Sequence, residues 1–244
     1  MLFETIKGTL RRLRSGPATP QRRYCELLPS KVARPTFVKV GANDGVTGDP
    51  VSDLLLADKR WRGLLIEPVP ECFERLAHNF SDPERFTLEQ VAIGKEEGTA
   101  IFYHVRQDAG VQLEGIPSWF DQLGSFDRNH ILKHLDGRLE PYIVESRIRV
   151  STLAEILRRR TLREIHLLHV DVEGYDFEVL KTVDFANMRP EGILIEYKHL
   201  SGADRSSMLA LLRRSGYRVQ DLAGDFFAVH RNSVLRWVVR DSAK

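Results

Sequence analysis

The sequence lacks most of the features that assign a protein quickly. It has two cysteines in 244 residues, Cys25 and Cys72, far apart and without metal-ligand spacing. That excludes a disulfide scaffold or a zinc ribbon and fits a reducing compartment. The formal net charge is only +2 although 29% of residues are charged, so no excess of one sign marks nucleic acid as a partner. No apolar run reaches the roughly 20 residues of a membrane span, and no signal-peptide core with a small-residue cleavage site is present. A cytoplasmic location is the expectation. Neither G-x-G-x-x-G nor G-x-x-x-x-G-K-[ST] occurs, which removes the dinucleotide fingerprint and the P-loop. With 42% hydrophobic residues and no repeat, the chain can bury one core, and one domain is expected over 35–244.

Residues 1–34 read differently. Leu2, Phe3, Ile6, Leu10 and Leu13 fall at helical spacing with Lys7, Arg11, Arg12 and Arg14 between them, and Gly16-Pro17 ends the pattern. A basic amphipathic helix of this kind lies on a membrane surface or packs on the domain or a second subunit. Both readings stay open, and with them a peripheral membrane contact or a homo-oligomer.

From Pro35 short apolar runs alternate with helical stretches, the pattern of βαβ units around a parallel sheet. Strands are expected at Thr36–Val40, Gly63–Glu67, Phe86–Ile93, Ile165–Asp171 and Gly192–Tyr197, with Thr99–Val105 extending the same sheet and a further strand at Ile143–Val150. Helices are expected from Pro50, with Asp49 as N-cap, from Pro70 to about Phe80, after Thr152, after Gly174, and from Asp204 to Ser215. The alternation is lost between about 106 and 142, a stretch too long for a routine connection and therefore functional or mobile. At the end, two strands flank a three-residue Ala-Gly-Asp turn, an antiparallel hairpin. The whole reads as α/β, a mostly parallel seven-stranded sheet closed by that hairpin, with helices on both faces.

Ligands of such sheets bind outside the carboxyl ends of the strands. After the first strand, Gly41-Ala42-Asn43-Asp44-Gly45 combines glycines that allow close backbone approach with side chains that hydrogen-bond a polar ligand. Glu67, followed by Pro68, ends the second strand, where an acid can accept both hydroxyls of a ribose. Ala92 and Ile93 end the third and would lie against a base. Together these describe a nucleoside site.

The wording is also recognisable. Val40-Gly-Ala-Asn-Asp-Gly45, Ile66-Glu-Pro-Val-Pro70, Val91-Ala-Ile-Gly94, Ser151-Thr-Leu, His169-Val-Asp-Val-Glu-Gly174 and Ile193-Leu-Ile-Glu196, in that order, resemble the FkbM family of methyltransferases over about residues 36–230. The resemblance implies a Rossmann-like class I methyltransferase fold and methyl transfer from S-adenosylmethionine to a hydroxyl of a sugar, a glycan or a polyketide-like product. Transfer to nitrogen or a carboxylate, or a non-catalytic protein of the same fold, are the alternatives. One residue departs from the family: members often carry Asp two positions before the first loop glycine, and this chain has Lys39, so Asp44 is the substitute partner for the cofactor's amine.

Asp171 ends the fourth strand and Glu173 follows, beside the methyl to be transferred. Asp171 belongs to the cofactor set, and with Glu196 at the fifth strand it offers hard oxygen ligands for Mg²⁺. A base must take the acceptor's proton. His169 lies inside a strand as a core histidine and His134 has no feature beyond its place in the insertion, which leaves His130, Glu173 and His199; His130 is preferred for the donor-rich run Gly124–His130 around it. Ser125 either touches cofactor or acceptor or serves a turn, and Trp119 and Phe126 either wall an acceptor ring or anchor the insertion.

Overall fold

The structure, a computed structural model, describes residues 19–241; the amphipathic pattern at 2–14 lies outside them. Ten strands are β1 (Thr36–Val40), β2 (Arg62–Ile66), β3 (Phe86–Glu89), β4 (Ala92–Ile93), β5 (Gly98–Val105), β6 (Ile143–Ser151), β7 (Leu167–Val170), β8 (Gly192–Glu196), β9 (Tyr217–Asp221) and β10 (Asp225–His230). The helices are α1 (Pro20–Leu27), α2 (Ser52–Ala57), α3 (Pro70–Asn79), α4 (Ala109–Gln112), α5 (Arg128–Leu132), α6 (Leu153–Arg159), α7 (Asp176–Lys181) and α8 (Gly202–Arg214). None of the described helices is long and apolar enough to cross a membrane.

Seven strands form one sheet in the order β3-β2-β1-β7-β8-β10-β9. It is parallel except for β10, which runs antiparallel to both neighbours, so the expected closing hairpin is there. The chain builds outward from β1 to β3, then returns to β1's other side with β7, and the strand order reverses between them. That reversal opens the crevice in which ligands of such sheets sit.

Each strand sorts its side chains to two cores because successive residues face opposite sides. Val38, Val40, Leu168, Val170, Ile193 and Ile195 meet Ile156 of α6, Leu180 of α7 and Leu212 of α8. Phe37, Leu65, Leu167 and Leu194 meet Tyr24 of α1, Leu55 of α2 and Leu76 of α3. The packed body therefore includes α1, ahead of Pro35, and Tyr24 secures it by donating to the His166 carbonyl at 2.7 Å.

Three expectations need correction. The run Phe86–Ile93 is two strands, and Thr99–Val105 does not extend the main sheet: β4, β6 and β5 form a second, three-stranded sheet in the order β4-β6-β5. Glu89 ends β3 in ion pairs with Arg149 and Arg160 at 3.2 and 2.7 Å, and the chain then leaves the main sheet's edge. β5 and β6 pair along their whole length, from Gly98↔Val150 to Val105↔Ile143, a longer ladder than four-residue β3 could offer. The helix expected from Pro50 begins at Ser52, because Val51, at φ −135°, is not helical and takes the N-cap position without a side-chain cap. Asp49 Oδ1 still accepts from the amides of Val51 and Ser52 at 2.8 and 2.6 Å, and so holds the turn that leads into the helix.

Insertion 106–142 is ordered around its own small core of Val105, Ala109, Leu123, Ile131 and Leu139. Reciprocal backbone hydrogen bonds between Tyr103 and Ser125, 2.8 and 2.9 Å, stitch it to β5.

Register fixes the site's floor. Val40 pairs with Ile66 on one side and Val170 on the other, and Val170 pairs with Ile195. The next residues, Gly41, Glu67, Asp171 and Glu196, thus form one row along the carboxyl edge. Gly41 turns there with φ +75°, and a Cβ on it would stand 1.8 Å from the Asp171 carbonyl oxygen. Gly41→Ala is expected to destabilise by more than the roughly 1–3 kcal/mol that a left-handed conformation alone costs, seen as a lower urea midpoint at unchanged slope. An unchanged midpoint would mean that β1 and β7 are not held this close in solution.

Candidate active site

A cavity of about 420 Å³ opens on that row. One wall is the turn Gly41–Asn43 with Glu67, Pro68, Ala92 and Ile93; another is Asp171, Glu173, Lys198 and His199; the insertion supplies Trp119, Ser125, Phe126 and His134. Neighbouring strands lie about 4.8 Å apart, so the ends of β2 and β7, separated by β1, are roughly 10 Å from each other.

Glu67 is buried and keeps both oxygens on backbone amides: Oε2 accepts from Asn43 at 2.8 Å and Oε1 from Val69 at 2.9 Å. Burial nonetheless outweighs these bonds and pushes its carboxyl up to about 7. Relative to an ordinary carboxylate near 4.5, the ionised form is held at a cost on the order of 3 kcal/mol. Each oxygen retains a second acceptor direction, so donors from a ligand would relieve that cost.

The loop residues divide. Gly41, Ala42 and Asn43 line the cavity, whereas Asp44 and Gly45 do not. Asp44 Oδ1 accepts from the amides of Val46 and Thr47 at 2.9 and 2.8 Å and Oδ2 from the Thr47 hydroxyl at 2.6 Å; the side chain is turned into the loop that it builds. Gly45 packs on α3, where a Cβ would meet the Phe80 ring at 2.3 Å.

Lys39, on the face of β1 turned towards α1–α3, is buried and ion-paired to Asp49. His169 joins them, its Nδ1 3.4 Å from Asp49 Oδ2. Burial raises Asp49, but the Lys39 charge and His169 overcome it and hold the carboxylate well below its ordinary range. All three also line the cavity, so His169 is a core histidine with one edge on the site.

Glu173 is the most constrained acid. It has φ +53° and precedes Gly174 at φ +95°, a strained turn held because Asp176 accepts from the amides of Val172 and Gly174, both at 3.0 Å. Glu173 Oε2 stands 3.2 Å from His130 Nε2 and 3.1 Å from His199 Nε2. Burial pushes the carboxyl up, but the contacts with His130 and His199 and the nearby Lys198 reverse this and lower it to about 2. His130, His199 and Glu173, the three base candidates, are therefore one cluster. His130 sits behind Glu173 rather than on the cavity surface, while His199 and His134 line it.

Asp171, Glu173 and Glu196 bring carboxylate oxygens within 4.8 Å of one another, and the Lys198 ammonium pairs with Glu196 Oε1. Burial, and then the neighbouring acids, push Asp171 and Glu196 up. Lys198 thus already supplies a cation where the Mg²⁺ reading needed one. Ser125 lines the cavity and also serves the turn, its hydroxyl accepting from the Asp127 amide at 3.2 Å. Phe126 packs against Phe102 and Tyr175 with centroids 5.1 and 5.3 Å away, while Trp119 is 40% exposed; both reach the cavity, and only Phe126 is an anchor.

Sequence reasoning passed over Lys198, Asp176 and the role of His134. The spacing of His130 and His134, four residues and hence one helical turn, was the available signal for the last.

No curated protein matches the sequence. Solved structures similar to it include a methyltransferase FkbM of Methylobacillus flagellatus KT, 15% identical at a TM-score of 0.48, the match covering 81% of this chain and 44% of that one. The chain thus spans less than half the length of that protein. A fibrillarin pre-rRNA processing protein of Methanococcus jannaschii is 9% identical at a TM-score of 0.42, covering 90% and 71%. Fibrillarin of Aeropyrum pernix, with natively bound S-adenosyl-L-methionine, is 11% identical at 0.37, covering 84% and 71%. The Methyltransferase FkbM domain matches residues 39–219, well over half of the chain and every residue of the cavity wall. The chain belongs to the FkbM methyltransferase family.

Proposed function

We propose that this protein transfers the methyl group of S-adenosylmethionine to a hydroxyl oxygen of a sugar, a glycan or a polyketide-like product. The observation that carries this is a single cavity with a buried, ribose-competent acid on one wall, Glu67, and a carboxylate–imidazole cluster around Glu173 on the other. About 420 Å³ falls in the usual range for small-molecule sites, roughly 300–1,000 Å³.

In this reading the Glu67 carboxylate accepts both ribose hydroxyls, the Gly41–Asn43 turn approaches the cofactor by its backbone, and Ala92 and Ile93 flank the adenine. The acceptor oxygen attacks the sulfonium methyl in line; the C–S bond breaks as the O–C bond forms, giving S-adenosylhomocysteine and a methyl ether. A hydroxyl attacks poorly until its proton is taken, and the imidazoles that face the cavity beside Glu173, His199 and His134, are the proton-accepting groups on the acceptor side, with the Glu173 carboxylate to stabilise the imidazolium that forms. Ser125 and Phe126 of the insertion border the space left for the acceptor. Positioning of the two reactants supplies the rest.

Two measurements test this. Ribose hydroxyls donate to the ionised form of Glu67, whose carboxyl sits at about 7. Affinity for S-adenosylhomocysteine should therefore be constant above that pH and weaken below it, by up to about tenfold per pH unit. Glu67→Gln should bind more weakly and show no such slope; calorimetric titration across pH reads both. A wild-type-like profile in the variant removes the ribose assignment.

Glu173→Gln should lower turnover by roughly 10²–10⁴-fold, the worth of positioned proton transfer, while affinity for S-adenosylhomocysteine stays near that of the wild type. A mass-spectrometric screen of hydroxylated glycans and small molecules provides the acceptor for this assay. A product methylated on nitrogen or carboxylate would replace the hydroxyl assignment, and cofactor binding without any product would favour a non-catalytic protein.

A further inference from the structure

Four side chains from three separate stretches converge beside the acceptor space. His130 lies on α5, His134 one turn after it, Glu173 in the strained turn beyond β7, and His199 beyond β8. Each offers one ligand atom, and these atoms all lie within 4.8 Å of one another. The imidazole centroids are 5.0 Å apart for His130 and His134, 5.0 Å for His130 and His199, and 5.4 Å for His134 and His199. Three rings gathered this tightly around one carboxylate exceed what a single proton carrier requires.

The distances resemble those between ligands of one ion. With metal–ligand bonds of about 2.0–2.2 Å, neighbouring donors in a tetrahedral site stand roughly 3.3 Å apart; Glu173 Oε2 is 3.2 Å from His130 Nε2 and 3.1 Å from His199 Nε2. His199 Nε2 is buried and, despite that proximity, is not aligned for a hydrogen bond with any group. Glu196 Oε2, 3.7 Å further on, is likewise buried without a partner. Two buried polar atoms left unpaired at the same spot are costly unless something else satisfies them. Glu173 itself accepts left-handed strain to present its carboxylate there, and such strain gathers at ligand sites.

We propose that His130, His134, Glu173 and His199 bind a divalent transition-metal ion. Three imidazoles and one carboxylate favour ions such as Zn²⁺ or Co²⁺ over Mg²⁺, which prefers oxygen ligands throughout. The site differs from the Asp171–Glu196 pair in ligands and in metal. Because His134, Glu173 and His199 also line the cavity, the ion would face the acceptor; with the ion bound, its charge and not these side chains would acidify the hydroxyl, a role that rests on the O-methylation reading, whereas the binding does not.

The test uses tag-free full-length protein, stripped with chelator and titrated with Co²⁺ while the visible ligand-field spectrum is recorded. One equivalent should bind with the intense bands of a low-coordinate site, Zn²⁺ should displace it, Mg²⁺ in large excess should not, and Zn²⁺ should raise the Tm. His134→Gln and His199→Gln should each weaken Co²⁺ binding by more than the roughly 10–100-fold lost when a residue that merely supports a ligand is removed. Absence of a stoichiometric site in the wild-type protein, or unchanged affinity in the two folded variants, overturns the proposal. Should either variant fail to fold, the wild-type spectrum and Tm decide it alone. Neither readout involves methyl transfer: a protein that shows no stoichiometric metal site and still makes a methyl ether sinks this inference and keeps the function, and one that binds the ion and makes none does the reverse.

Discussion

The contact on which the site depends is the approach of Gly41 to the carbonyl of Asp171. Parallel pairing brings β7 to one side of β1 and β2 to the other, and because all three end in register, the residues after each strand emerge on one line. A side chain at Gly41 would have no place there, with the Asp171 oxygen 1.8 Å from its Cβ. The close approach lets the turn after β1 fold over the row without pushing β7 away. Glu67 then locks the turn, since the same carboxylate that faces the cavity accepts from Asn43 in that turn and from Val69 after β2. On the proposed reading, the acid that locks the turn is also the one that meets the ribose, which would account for keeping it buried at an energetic cost.

On the other side of β1 the same logic recurs with different residues. Asp176, buried at the start of α7, takes two amides of the 172–174 turn and so holds Glu173 in a conformation that it would not adopt unaided. The imidazoles then lower Glu173 to about 2, so the cluster contains a permanent anion at neutral pH. Two acids of the cavity, Glu67 and Glu173, are therefore tuned in opposite directions. Glu67 is raised because burial outweighs two amides and the charges of Lys39 and Arg75, and Glu173 is lowered because nearby imidazoles and Lys198 overcome burial. Separation of two carboxyls by environment is the way one cavity assigns them different tasks.

Much of this was legible from the sequence, for physical reasons that also mark the limits. Parallel strands buried on both faces are near-continuous apolar runs, and Phe37–Val40, Leu64–Ile66 and Ile193–Ile195 stand out as such. Glu67, Asp171 and Glu196 stand out because an acid ends an apolar run. What the sequence could not convey was partnership at long range. Nothing in Thr99–Val105 says that it pairs with Ile143–Ser151 rather than with β3, as strand propensity is the same for either partner. Asp44 and Asn43 are equally polar on paper, yet Asp44 is consumed by Val46 and Thr47 while Asn43 faces the cavity. His134 gained its meaning only when the insertion folded it against residues 39 and 65 positions away, Glu173 and His199.

Lys39 brings these points together. On β1 it stands two positions before Gly41, and its positive charge lies in a buried trio with Asp49 and His169. Removing one member of such a group strands the others at a cost of roughly 3–5 kcal/mol, so the trio constrains any ligand placed above it. Asp49 is already enclosed, with Lys39 bonded to one oxygen and His169 close to it, and two amides on the other oxygen. Asp44 is committed to its turn and Asp121 to Arg75 at 2.6 Å. Of the acids lining the cavity, Glu67 belongs to the ribose on the proposed reading and Glu173 to the imidazoles. Asp171 is the acid of the wall that remains uncommitted, and it is raised by burial and by Glu173. An ammonium arriving above Gly41 would restore its charge. On the proposed reading the amine contact that Lys39 cannot make would pass across the sheet by one strand, from the end of β1 to the end of β7, with the Gly41 turn between them.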